Sequence, residues 1–237
     1  MRTTRTGKWE KYTIMKRENK LRSYLPNTIL VKRSSFWSMV SKYKRIMLKP
    51  CNGFNGKGVI QVSKKGTCYE IRHELRKTNV QGKNKASLYL KRKIKNKRYI
   101  AQRYIDLSKI NGKPFDIRVM VLKGKNNTWK VQGQYAKIAI KGYVVTNNAE
   151  QILPTETALL KSQLNNKRRL LQGINRIALL TARQLERYYP NQQLFGLDIG
   201  IDRHGRMWII EANTKPTLLP FLLLGDRKTY RKLLSCK

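Results

Sequence analysis

The sequence predicts an α+β protein whose strands are joined mainly as antiparallel hairpins. Three observations carry that expectation. Apolar runs of strand length outnumber helical patterns. Short turns such as Lys64-Lys65-Gly66 and Lys123-Gly124-Lys125-Asn126-Asn127 separate several of them. Three of the chain's 13 acidic residues, Asp198, Asp202 and Glu211, fall in one stretch that itself reads as a hairpin. This order argues against a doubly wound parallel sheet.

Trp9, Tyr12, Met15, Leu21 and Leu25 recur near helical spacing and predict a helix over 8–25, ended by Pro26. Residues 28–31 read as a short strand. Ser34 or Ser35 supplies an N-cap for a helix through Phe36, Trp37, Met39, Val40 and Tyr43. Strand 45–48 delivers Lys49-Pro50 to a glycine-rich loop, and strands 59–62 and 67–71 follow. The basic run 91–98 sits on a helix expected over 84–97, as a solvated face or an anion-binding patch; strand 99–103 comes next. A second region begins near Asp106. There Phe115, Ile117, Val119 and Val121 alternate with Asp116 and Arg118, which point the other way. Strand 128–139, a long basic helical region over 155–188 containing Gly173, the acidic hairpin and a short helical tail complete the chain. We read a single domain over 1–237, with lobes at 1–105 and 106–237.

The chain holds 52 Lys and Arg against 13 Asp and Glu, a net charge of +39. That balance favours an anionic partner: nucleic acid, an acidic polymer, a membrane surface or a phosphorylated ligand. A hydrophobic content of 40% excludes a disordered chain. Cys51, Cys68 and Cys236 are an odd set without metal-ligand spacing, so reduced thiols are expected. The charged N-terminus has no apolar run behind it. The longest apolar stretch, 218–224, is interrupted by Pro220 and falls far short of the roughly 20 residues of a membrane span. A soluble cytoplasmic protein is expected. His73 and His204 are the only histidines, and no Ser–His or Cys–His arrangement suggests a side-chain nucleophile.

Two motifs carry chemistry. In Lys49-Pro50-Cys51-Asn52-Gly53-Phe54-Asn55-Gly56-Lys57-Gly58-Val59-Ile60, a strand delivers a lysine, glycines free the backbone, and another strand leaves. Glycines let backbone N–H groups approach a phosphate, and a strand-borne lysine is a fixed charge for it. The loop is not a P-loop, which would open a helix. In the acidic hairpin a two-residue His204-Gly205 loop sets Asp198 opposite Glu211, with Cβ atoms about 4.5–5.5 Å apart. Carboxylates that close repel unless a cation lies between them, and oxygen donors of this kind suit Mg²⁺. Asn213 shares the face of Glu211. Asp202 reads as shaping the turn.

In order and spacing these motifs resemble the ATP-grasp fold: Lys49-Pro50 with its glycine loop, Gln102, Asp116-Ile117-Arg118, Asp198 and Glu211-Ala212-Asn213. Closer still, the phrases Gly7-Lys8-Trp9, Leu25-Pro26-Asn27-Thr28, Phe115-Asp116-Ile117-Arg118, Gly196-Leu197-Asp198-Ile199-Gly200-Ile201-Asp202 and Ile210-Glu211-Ala212-Asn213 resemble the YheC/YheD family of spore-forming bacteria, described as endospore-coat-associated proteins. The resemblance implies two antiparallel lobes with ATP between them and the glycine loop, with Gly53, Asn55, Gly56, Lys57 and Gly58, as a lid over its phosphates. It implies Lys8 and Lys49 on the α- and β-phosphates, and Gln102 with the backbone near Tyr104 at the adenine. Arg118 and Lys137 would face the γ-phosphate and substrate, and Asp198, Glu211 and Asn213 would hold Mg²⁺.

The implied activity is ATP-dependent carboxylate–amine ligation through an acyl phosphate. Two other readings stand beside it: a catalytically weak, spore-coat-associated protein that binds acidic partners, and a nucleic-acid-binding protein. Relatives usually carry a further domain before this part, which the chain is expected to lack because it starts almost at Lys8. The segment Thr146-Asn147-Asn148-Ala149-Glu150-Gln151 also lacks the paired glycines expected there.

Overall fold

The computed structural model describes residues 7–53, 56–95, 97–140, 142 and 149–235. The chain opens with helices α1 (Lys8–Lys16) and α2 (Asn19–Arg22), strand β1 (Thr28–Leu30) and helix α3 (Arg33–Tyr43). Strands β2 (Arg45–Pro50), β3 (Ile60–Lys65), β4 (Cys68–His73) and β5 (Arg76–Gln81), helix α4 (Lys83–Ile94) and strand β6 (Tyr99–Arg103) follow. The second half begins with β7 (Lys109–Ile110), β8 (Lys113–Lys123), β9 (Trp129–Ala139) and β10 (Ala149–Pro154). Helices α5 (Thr155–Lys161) and α6 (Lys167–Glu186), strands β11 (Leu194–Ile201) and β12 (Met207–Asn213), and helices α7 (Leu219–Leu223) and α8 (Arg227–Leu234) end it.

The strands form two sheets, ordered β1-β6-β2-β3-β4-β5 and β10-β9-β8-β11-β12, with β7 on β8. Every pairing among them is antiparallel. The fold is α+β. Strand alternation divides each sheet into a core face and a cleft face. On β2, Ile46 and Leu48 pack under α3 and α4, while Arg45, Met47 and Lys49 face the cleft. On β8, Phe115, Ile117, Val119 and Val121 enter the main core with α1 and α6, as the alternation predicts. The opposite face of that sheet changes character along its length. Asp116 and Arg118 lie at the cleft end, while Met120 and Leu122 join Tyr135, Phe221 and Leu233 in a separate apolar cluster.

Several expectations change. The helix over 8–25 breaks at Arg17–Glu18, where the Glu18 carboxylate caps α2 by accepting from Lys20 N–H. Tyr12, Ile14, Met15, Leu21 and Leu25 pack in the core of the second sheet, so these residues do not belong by packing to the first lobe of a boundary at 105. The helical region over 155–188 divides at 162–166, with Asn166 left-handed. Gly173 lies inside α6, where a Cβ would sit 2.6 Å from Met207 Cε. Strands β5 and β10 have no counterpart in the sequence reading. The first is polar in five of its six positions and lies on a sheet edge, where charge blunts pairing with other chains. The basic side chains Lys91, Arg92 and Lys93 of α4 are exposed, while Ala86 and Leu90 are buried.

The acidic hairpin reaches its expected pairing by another route. Its loop has three residues, 203–205: Asp202 N–H donates to Arg206 O at 2.9 Å, and Gly205 takes the positive φ of 78° this turn needs. That register alone would oppose Asp198 to Ile210. A bulge leaves Ile210 without an opposite residue and restores Asp198 to Glu211 and Gly196 to Asn213.

Candidate functional site

The two sheets enclose a cavity of about 360 Å³, within the size range of small-molecule sites. Arg45, Met47, Lys49, Gln61 and Gln102 line one wall, and Asp116, Asp198, Ile210 and Glu211 the other. Gly53, Gly56 and Lys57 border it from the glycine loop, and Tyr104 and Ile105 from the hinge, the segment between β6 and β7 that joins the two sheets.

On the first wall, buried Lys49 Nζ donates to Gln102 Oε1 at 2.7 Å, and Gln102 Nε2 donates to Thr28 Oγ1 at 3.0 Å. Thr28 is anchored in turn by its own bond to Pro26 O, 2.8 Å. The Gln102 amide thus links Lys49 to Thr28, using one acceptor position of its oxygen and one of its two N–H donors. Burial pushes the Lys49 ammonium down to about 8; the charge of Lys8 adds to this, while Glu211, Asp198 and Asp116 oppose it. Burial also lowers Lys11, which lines a small cavity behind Glu211 with Lys8 and Lys49.

Lys8 joins the lobes. Its N–H donates to Cys51 O at 2.9 Å, and its Nζ donates to Gly53 O at 2.6 Å while pairing with Glu211 Oε1 at 3.0 Å. The start of the glycine loop is therefore tied to the acidic hairpin through one lysine. Gly58 serves the loop's shape: φ is 76°, its carbonyl accepts from Tyr99 OH, and a Cβ would lie 3.1 Å from Pro50 Cγ. Asn55 lies outside the described residues, as do 146–148 of the segment expected to carry glycines.

On the second wall, register sets Lys137, Asp116, Arg118, Asp198 and Glu211 side by side on four adjacent strands. Arg118 grips Asp198 with two bonds, Nε to Oδ1 at 2.6 Å and Nη2 to Oδ2 at 3.0 Å. Lys137 Nζ lies 2.9 Å from Asp198 Oδ1 and 3.3 Å from Asp116 Oδ1. Burial favours the neutral Asp198 carboxyl, but Arg118 and Lys137 override it and hold it well below the usual carboxylate range. Burial likewise opposes charge on Arg118 and Lys137, and the facing carboxylates outweigh it and raise both. Arg118 and Lys137, read as facing a γ-phosphate, thus stand against Asp198, the nearest buried anion.

Among the described residues, no three His, Cys, Asp or Glu are grouped to hold a metal ion. The donors that meet are two carboxylates and an amide: Asp198, Glu211 opposite it, and Asn213, whose Nδ2 is 3.5 Å from Asp198 Oδ2. These hard oxygen donors fit Mg²⁺, which takes one or two carboxylates and completes its shell with water and phosphate.

The sequence reading missed a second ionic cluster at the cleft. Glu70 of β4 is buried among Lys65 (2.9 Å), Arg72 (2.7 Å) and Lys77 (3.2 Å), contributed by β3, β4 and β5. The hydrogen bond from Lys65 leads in pushing its carboxyl down to about 2. The alternation in β4 held a signal, since Tyr69 and Ile71 face the core and Glu70 and Arg72 the cleft.

The fold recurs in solved enzymes. The ADP complex of PurK, an N5-carboxyaminoimidazole ribonucleotide synthetase, superposes with a TM-score of 0.58 at 12% identity, over 90% of this chain and 45% of that one. The N5-carboxyaminoimidazole synthetase of Staphylococcus aureus, complexed with ADP, gives 0.54 at 10% identity over the same shares. In sequence, the chain is similar to two proteins of Bacillus subtilis (strain 168). Endospore coat-associated protein YheD is 24% identical over 217 residues, which is 89% of this chain and 48% of YheD. Endospore coat-associated protein YheC is 27% identical over 217 residues, 88% of this chain and 59% of YheC. The chain spans about half the length of these relatives. A family model described as YheC/D like ATP-grasp matches residues 2–237, and with both sheets, the glycine loop and the acidic hairpin in its order, the chain belongs to the YheC/D-like ATP-grasp family.

Proposed function

We propose that this chain binds Mg-ATP between its sheets and uses the γ-phosphate to activate a carboxylate for attack by an amine. One observation carries the reading: a cleft with a lysine-bearing strand and glycine loop on one wall and two opposed carboxylates with an amide on the other. Lys49 and Lys8 would meet phosphate oxygens, and Gly53, Gly56 and Lys57 would close over them. Magnesium, held by Asp198, Glu211 and Asn213, would neutralise charge on the bridging phosphate oxygens. In the structure each of these carboxylates has a cation: Arg118 and Lys137 on Asp198, Lys8 on Glu211. Nucleotide binding would exchange these partners, freeing the cations for phosphate as the carboxylates take the metal. The acceptor carboxylate oxygen would bond to the γ-phosphorus as the bond to ADP breaks. The amine would then displace phosphate from the acyl carbon.

Mg-ATP is titrated by calorimetry into the wild type and into Glu211→Gln, in salt high enough to screen adventitious anion binding. Binding that requires Mg²⁺ and weakens about tenfold or more in the variant is expected. A folded wild type that binds no Mg-ATP overturns the proposal.

A further inference from the structure

A second concavity, of about 550 Å³, adjoins the nucleotide cleft at the hinge. Its walls come from both halves of the chain: the end of α3 and start of β2, the end of β3, residues 103–106, and the turn between β11 and β12. Lys42, Lys44, Lys64 and Arg203 line it beyond the cleft, and Arg45, Lys65 and Arg103 line both cavities. Lys65 is paired with Glu70, and the groove's two acids, Asp106 and Asp202, do not balance the other six cations. Asp202 is also consumed by the turn: Oδ1 accepts from His204 N–H and Arg206 N–H, and Oδ2 accepts from Trp208 Nε1–H at 2.8 Å.

The guanidinium groups are held in place. Arg103 lies 5.5 Å from the ring centres of both Tyr43 and Trp208, and Arg45 lies 4.8 Å from that of Tyr104. Planar guanidinium forks held against rings are suited to carboxylate or phosphate. The rings here carry cations on their faces, so the aromatic groups of this groove serve the arginines and do not form a platform for stacked bases. A ligand with one anionic group would engage only a few of these cations; their number and their spread over four segments of the chain call for a multivalent chain.

We infer that this hinge groove binds an acidic polypeptide segment, rich in Asp or Glu. The groove shares Arg45, Lys65, Arg103, Tyr104 and Ile105 with the cleft, but Lys42, Lys44 and Arg203 line the groove alone, so a test on these three does not depend on ATP binding. Fluorescence anisotropy of a labelled oligoglutamate is measured against the full chain above about 0.15 M salt, where the Debye length is about 8 Å or less. The groove variant Lys42→Glu/Lys44→Glu/Arg203→Glu is compared with a control of equal charge change on the exposed face of α6, Arg168→Glu/Arg169→Glu/Arg176→Glu. The groove variant should weaken binding about tenfold or more, and the control less than about threefold, because like charges placed across a contact repel strongly. Equal losses in both variants overturn the inference, as does a folded wild type that does not bind oligoglutamate. An oligonucleotide of matched charge that binds more tightly and responds to the groove variant assigns the surface to nucleic acid and also overturns it. The alanine triple at 42, 44 and 203 replaces the charge reversals if these prevent folding.

Discussion

The two walls of the cleft hold buried cations in opposite ways. On the first, Lys49 is held by a neutral amide, Gln102, and burial lowers its affinity for a proton. On the second, Arg118 and Lys137 are held by carboxylates, and their affinity for protons rises. On the first wall the charge of Lys49 is met by an amide and not by a carboxylate, while the carboxylate of Glu70 is taken by Lys65, Arg72 and Lys77. The second has neutralised its own charge within the sheet. The difference separates a wall prepared for an incoming anion from one that must first give up a partner.

The largest effect should come from breaking the second wall. Asp198→Asn leaves Arg118 and Lys137 buried without their shared anion. Removing one member of such a pair costs about 3–5 kcal/mol. Denaturant unfolding of the variant should show a loss of that size, and an unchanged midpoint would mean the cluster does not hold the sheet. Lys49→Met tests the first wall and should do the reverse. It removes a buried charge that has only a neutral direct partner, so stability should hold or rise. Mg-ATP affinity should fall about tenfold to a hundredfold, about 1.4–2.7 kcal/mol.

A pH series distinguishes the walls without mutation. Lys49 titrates at about 8 in the folded chain against an ordinary 10.5. Below about 8 it is protonated in both folded and unfolded states, and the cost of burying its charge is fully present. Between about 8 and 10.5 the unfolded chain binds more protons, so this group's contribution to stability rises with pH. Nucleotide affinity should move the other way, falling up to about tenfold from pH 7 to 9 as Lys49 loses its charge. Arg118 and Lys137, raised by their carboxylates, stay charged across that window. Titrations at both pH values should show the fall in the wild type and a flatter profile in Lys49→Met. Equal pH slopes in the two would remove Lys49 as the cause.

What could be read from the sequence divides along similar lines. The alternation of β8, the glycine loop and the Asp198–Glu211 pairing are local, each contained in one strand, one loop or one hairpin. The partners of those residues are not. Arg118 lies 80 residues from Asp198 and Lys137 lies 61 away, and only the order β9-β8-β11 brings the three together. The Glu70 cluster draws on three strands, one of them a polar edge with no apolar alternation to mark it. Helix α1 likewise turns its apolar face to α6, far along the chain, a contact that no local pattern marks. The hairpin pairing came out as expected although its loop was one residue longer, since the bulge at Ile210 compensates.

The smallest effect should come from an ion pair in the same sheet that differs from the Asp198 cluster chiefly in exposure. Lys113 Nζ lies 2.6 Å from Glu150 Oε1, as short as any contact around Asp198, yet the two side chains are 28% and 46% exposed. Water solvates both partners when the pair breaks, and holding two long side chains together costs entropy. Exposed pairs are worth about 0.2–1 kcal/mol. Lys113→Met should therefore shift the unfolding midpoint by less than about 1 kcal/mol, several times less than Asp198→Asn. Added salt should reduce even that difference, because exposed charges are screened and buried ones are not. If the two variants lost equal stability, burial would not be what sets the cost of breaking an ion pair in this sheet, and the contrast between the two cleft walls would lose its physical basis.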